Sequence, residues 1–124
     1  MSGMGPAPDL TGYGRASDST GMKRPAYRIE YAAEAEEHMS ALTAREATTV
    51  LDTVPRQLGH EPTVRTRNRK PLETNPVAPW ELRIGYLRVY FDVEEGPERV
   101  VKVRAVGLKD RNRVLIGGEE VDLR

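Results

Sequence analysis

The sequence contains no cysteine. That excludes a disulfide framework and any thiolate metal site, and it is compatible with a reducing compartment. Histidine is nearly as scarce, and His38 and His60 stand too far apart in sequence to suggest a zinc site. No cofactor and no metal are expected. Apolar runs are short: none approaches the roughly 20 residues of a membrane span, and the N-terminus lacks the apolar core of a signal peptide. No membrane association is therefore expected, and the cytoplasm is the expected location. Charge of one sign is not in excess either, since Lys+Arg and Asp+Glu number 19 each. Overall charge thus says nothing about partners.

The distribution of charge says more. Residues Tyr27 to Thr63 carry seven acids against three bases, whereas Arg65 to Tyr90 carry six bases against two acids. A further basic group follows at Arg99, Lys102, Arg104, Lys109, Arg111 and Arg113. A dipolar protein with a basic C-terminal half suits a polyanion. At 124 residues the chain is one domain's worth. We expect a disordered leader over residues 1–24, rich in Gly, Ser, Pro and Asp, a folded domain over 25–117 and an acidic tail over 118–124. Met22 is a candidate start for the working domain.

The stretch Tyr27 to Tyr31 alternates apolar and polar residues, as a half-buried strand does. Ala32 to Leu42 changes to helical spacing and puts His38 on the packed stripe. Thr43-Ala44-Arg45-Glu46 is a capping box for a second helix, which presents Ala47, Val50, Leu51, Val54 and Leu58 inward and ends at Gly59. Pro55 predicts a kink or an early stop. Thr63 to Pro79 reads as a long polar connection. Trp80 to Ile84 and Leu87 to Val93 form a hairpin about Gly85-Tyr86, and Arg99 to Val106 adds a strand. Asp110 to Arg113 reads as a charged turn, with a short strand at Val114 to Ile116. The fold class is α+β: an N-terminal strand, a two-helix hairpin, and a three- to four-stranded, largely antiparallel sheet.

Alternation assigns the candidate site. Leu87, Val89, Phe91 and Val93 share one face of their strand, and Arg88, Tyr90 and Asp92 share the other. If neighbouring strands bring their polar sides together, one sheet face carries Arg83, Arg88, Lys102 and Arg104 around Tyr90. An uncovered polar face, with cross-strand pairs such as Arg88 with Glu81, accounts for the same pattern without a ligand. The run Arg65 to Lys70, containing Arg69 and Lys70, likewise reads either as a solvated loop or as a nucleic-acid contact. Trp80 is a core or rim residue, or else a base-stacking platform.

In order and spacing, "YRIEY", "AAEAEEHMSAL", "RKP", "WELRIGYLRVYFDVEE" and "VVKVRAVGLKDRNRV" resemble the RelE/ParE superfamily of type II toxins. The resemblance spans about Tyr27 to Ile116. It implies a toxin neutralised by a cognate antitoxin protein, with operator DNA bound only through that antitoxin. RelE-like members cut messenger RNA in the ribosomal A site by attack of a ribose 2′-OH on the adjacent phosphate. On that resemblance Arg88, Lys109 and Arg83 are the expected catalytic residues and Arg111 an expected substrate-binding one; the alternation adds Arg104, Lys102 and Tyr90 to the expected substrate-binding set, and the basic run adds Lys70 and Arg69. Two positions depart from the pattern. Glu81 stands where RelE has a lysine, and Leu115 near its C-terminal tyrosine, with Tyr86, Tyr90 and Glu73 as substitutes. ParE-like members, which lack the ribonuclease set, inhibit DNA gyrase instead. A degenerate member would only bind its antitoxin.

Overall fold

A computed structural model describes residues 26–121; the expected leader lies outside the described residues. The elements are β1 (Arg28–Tyr31), α1 (Ala33–Ser40), α2 (Ala44–Leu58), β2 (Arg69–Pro71), β3 (Trp80–Ile84), β4 (Leu87–Glu94), β5 (Val100–Asp110), β6 (Arg113–Ile116) and β7 (Glu119–Val121). They form one sheet, ordered β2-β3-β4-β5-β6-β7, with β1 beside β5. Every pairing is antiparallel except β1 with β5. The two helices with a largely antiparallel sheet are the expected class; the sheet has more strands than expected.

The extra strands are short. β2 arises inside the expected loop, where three residues ending in a proline suffice for an edge strand. β7 arises where an acidic tail is expected, because Gly117 and Gly118, both at positive φ, turn the chain back onto β6. The α2 capping box forms as read, with Thr43 Oγ1 accepting from the Glu46 N–H and Glu46 Oε1 from the Thr43 N–H. Pro55 does not stop α2, which runs on to Leu58. Leu51, expected inward, is 52% exposed. Val50, Val54 and Leu58 already fill the buried stripe, and Leu51 falls beyond its edge.

The main core lies between the helices and one sheet face. Ala35, Val50, Val54 and Leu58 pack on Leu82, Val89, Phe91, Val101, Val103 and Val106. Trp80 packs on this core, its ring stacked on Phe91 with centroids 6.0 Å apart. A bulge in β5 shifts the alternation: Tyr90 pairs with Ala105 and Phe91 with Val103, leaving Arg104 as the extra residue. The helix-facing series therefore passes from Val101 and Val103 to Val106 and Leu108.

One edge of β5 serves two partners. β1 pairs with Val100–Val103 and β6 with Gly107–Asp110. In the gap between them the Val106 N–H donates to His38 Nδ1 at 3.3 Å, so a helix side chain occupies the place of a missing strand. Such a donor, left unpaired, would weaken the sheet at its centre.

Candidate functional site

The sheet face away from the helices carries the arginines. Register sets Glu81 opposite Tyr90 and Arg83 opposite Arg88. Two arginines directly across a strand pair repel one another, and only a nearby acid or a bound anion makes that arrangement favourable. Glu81 supplies part of the compensation: its Oε1 accepts from Arg83 Nε at 3.0 Å, and its charge also acts on Arg88. The sequence suggests Glu81 as a partner for Arg88, whereas the hydrogen bond goes to Arg83. The signal is present in Glu81-Leu82-Arg83, since residues two apart in a strand share a face.

Arg88 is not an open floor residue. It is buried, and its Nη1 donates to the carbonyls of Gly85 and Leu87 at 2.7 and 2.9 Å. Burial pushes its pKa down, with the charge of Glu81 opposing that shift. It stays a cation, and its bonds brace the β3–β4 turn.

Lys109 reaches the same end of the sheet. Leu108 packs with the helix-side core, so alternation puts Lys109 on the face of Arg88. Arg88 pairs with Gly107, which makes Lys109 its diagonal neighbour at roughly 7–8 Å. The Lys109 N–H donates to the Tyr86 carbonyl at 2.7 Å and ties β5 to the β3–β4 turn. Arg111 follows in the β5–β6 turn, exposed and at φ 60°. Arg83, Arg88, Lys109 and the turn bearing Arg111 are thus gathered at one end.

The remaining expected residues are placed otherwise. Lys70 pairs in register with Glu81 and borders the cluster. Arg69 pairs with Leu82 and so faces the helices. Its Nη1 donates to the Gln57 and Glu61 carbonyls at 2.8 and 2.7 Å, closing the C-terminal end of α2. That corrects its assignment to the substrate surface. Lys102 and Arg104 lie toward the opposite end, where Lys102 meets Glu30 at 3.7 Å and Arg104 meets Asp92 at 3.4 Å.

Tyr90 departs most from expectation. It is fully buried beneath a second cluster, in which Leu72, Val77 and Ala78 join Ala105, Ile116, Val114 and Val121. The segment Leu72 to Pro79 is therefore an ordered flap. The Leu72 N–H donates to the Pro79 carbonyl, and Asn75 Oδ1 accepts from the Val77 and Ala78 N–H groups. Tyr90 cannot stack on a ligand there. Its hydroxyl has no partner of good hydrogen-bond geometry; burial first, then the Glu81 charge, push its pKa up. Leu115 pairs with Leu108, Glu73 is exposed on the flap, and the Tyr86 hydroxyl donates to Glu46 Oε2 at 2.5 Å on the helix side. None of the three expected substitutes, Tyr86, Tyr90 and Glu73, thus puts a free hydroxyl or carboxylate beside Arg83 and Lys109. Among the described residues no group of His, Asp and Glu is arranged to hold a metal ion, and no helix is long and apolar enough to cross a membrane.

No family model matches the sequence, and no curated protein does. Among solved structures, a chain of the toxin-antitoxin complex RelBE2 from Mycobacterium tuberculosis is similar, with a TM-score of 0.60 at 21% identity. The match covers 70% of this chain and 95% of that one. The chain therefore has the RelE-like fold to which its sequence motifs point.

Proposed function

We propose that the protein is the toxin of a toxin-antitoxin pair and acts as a ribosome-dependent endoribonuclease in the cytoplasm. The observation that carries this reading is the opposition of Arg83 and Arg88, with Lys109 on their diagonal. Three cations share one end of a face with a single buried acid, an arrangement that an anion stabilises. In the reaction the 2′ oxygen bonds to the adjacent phosphorus and loses its proton to a solvent water. The bond to the 5′ oxygen breaks, and that oxygen takes up a proton. The dianionic phosphorane between these steps requires fixed positive charge. The exposed Arg83 guanidinium and Lys109 ammonium provide it, and Lys109 can also give the leaving oxygen its proton. Arg88, behind them, holds the turn and adds to the potential. The antitoxin is expected to cover this end with acidic or apolar residues, and operator DNA to be reached only through it.

A second reading follows from the burial of Arg88 and the aliphatic Leu115: a non-enzymatic inhibitor of DNA gyrase, or a toxin fold that only binds its antitoxin. Primer extension on messenger RNA held in programmed ribosomes separates these. R83A and K109A are the variants to use, because Arg88 is structural as well as charged. Cuts at the A-site codon that fall about 10²- to 10³-fold in either variant support the nuclease. Intact messenger RNA with folded wild-type protein rejects it, and a supercoiling assay then tests gyrase inhibition. Expression with the neighbouring open reading frame should restore growth.

A further inference from the structure

Glu81 is 5% exposed, and its neighbours on the face are Lys70, Arg83 and Tyr90. Burying a carboxylate is unfavourable, and an uncharged residue of similar size commonly serves stability as well or better. Its geometry points to another role. Glu81 holds Arg83 by Nε alone, and among the described residues no group hydrogen-bonds the two terminal nitrogens of that guanidinium. The Arg83 side chain is 41% exposed while that of Glu81 is 6% exposed, so the inner edge of the fork is anchored and the outer edge is free. A planar fork fixed in this way is ordered before it meets a phosphate, and less side-chain freedom is lost on binding. The anchor also opposes the repulsion from Arg88, which would otherwise turn Arg83 away.

We infer that Glu81 is a positioning residue for an anion site whose ligand is the phosphodiester backbone of single-stranded RNA, presenting the outer edge of Arg83 to one phosphate. This rests on the nuclease reading and adds a residue to it. The sign of one measurement tests it. If only net charge mattered, removing an acid from a basic face would tighten binding to a polyanion. Positioning demands the reverse.

The experiment measures binding of the full chain to a short, fluorescein-labelled, 2′-O-methylated RNA, which cannot be cut, over a series of salt concentrations. R83A should weaken binding about tenfold, the effect of one charge-assisted contact, and lower the salt slope by about 0.7. E81A should weaken binding about three- to tenfold and lower the slope in the same direction. E81Q keeps an acceptor for the Nε–H and should recover most of the loss, a rescue that general loss of packing does not produce. Tighter binding by E81A and E81Q, with a steeper slope, overturns the inference while R83A upholds the site. Unchanged binding by R83A overturns the site itself. Should E81A not fold, E81Q decides alone: affinity at or somewhat below wild type supports positioning, and tighter binding rejects it.

Discussion

Replacing Arg69 by alanine tests the side of the sheet on which this cation works. Its guanidinium is buried and gives two short hydrogen bonds to the carbonyls of Gln57 and Glu61. Hydrogen bonds from a charged donor contribute about 1.5–3 kcal/mol each, so the pair is worth roughly 3–6 kcal/mol gross. Two effects offset part of that. Burial disfavours the charge and pushes the Arg69 pKa down, and its Nε is buried without a partner. A net loss of about 2–4 kcal/mol remains, which for a domain of this size lowers Tm by about 10–20 °C. Urea unfolding followed by circular dichroism measures it. A loss below about 1 kcal/mol would refute the reasoning, since the bonds would then be no better than those to water. On the proposed nuclease reading, the variant should retain the RNA affinity of wild type under conditions where both are folded. A defect matching that of R83A would return Arg69 to the ligand surface.

Two further outcomes follow from single contacts. In G107A a Cβ would lie 2.2 Å from the Leu115 carbonyl oxygen and 2.8 Å from Ile116 Cγ1, so β6 must move. We expect a loss of about 2–3 kcal/mol and faster amide exchange in β6 and β7, with α2 little changed; equal loosening of both would show the clash is not local. Glu46 has its pKa lowered, first by the Tyr86 hydroxyl and then by the Thr43 N–H. A depressed carboxylate contributes stability that is fully present above the ordinary range near about 4.3 and is lost as pH falls through the folded value. The stability gap between wild type and E46Q should accordingly narrow in acid, as urea midpoints over a pH series will show, and a gap that widens contradicts the assignment.

Much of the fold was legible because period-two alternation in β4 and the Thr43–Glu46 capping box are local signals that the tertiary structure left intact. The bulge at Arg104 was not, because one unpaired residue reverses every later side chain and leaves no local mark. Arg69 was misplaced for a related reason. Within a polar run both faces look alike, and only the pairing of β2 with β3 decides which side it takes. The flap did leave a trace in Leu72, Val77 and Ala78, apolar residues in an otherwise polar segment, and Tyr90 was their counterpart. Gly107 was not legible in this way, because the sequence reading ended the strand at Val106, whereas β5 runs on to Asp110 and brings the Leu115 backbone close to Gly107. In the candidate site, the chain placed Arg83 and Arg88 on one face as alternation suggested, and Lys109, expected from the family resemblance alone, lies on their diagonal. The chain removed Lys102 and Arg104 to the far end because β5 is long enough to separate them.

The shared edge of β5 also bears on how the molecule is made. Synthesis runs from the N-terminus, so β1 leaves the ribosome before the other described elements, yet its partner strand among the described residues, β5, is made late. Until β5 has emerged, β1 has no ladder to join and His38 has no Val106 N–H to accept. The apolar sides of α1 and α2 meanwhile have no sheet beneath them. β3, β4, β5 and β6, by contrast, pair with neighbours made moments earlier, which are contacts of short loop closure. The late-made half of the chain is thus the template on which the early-made half is completed.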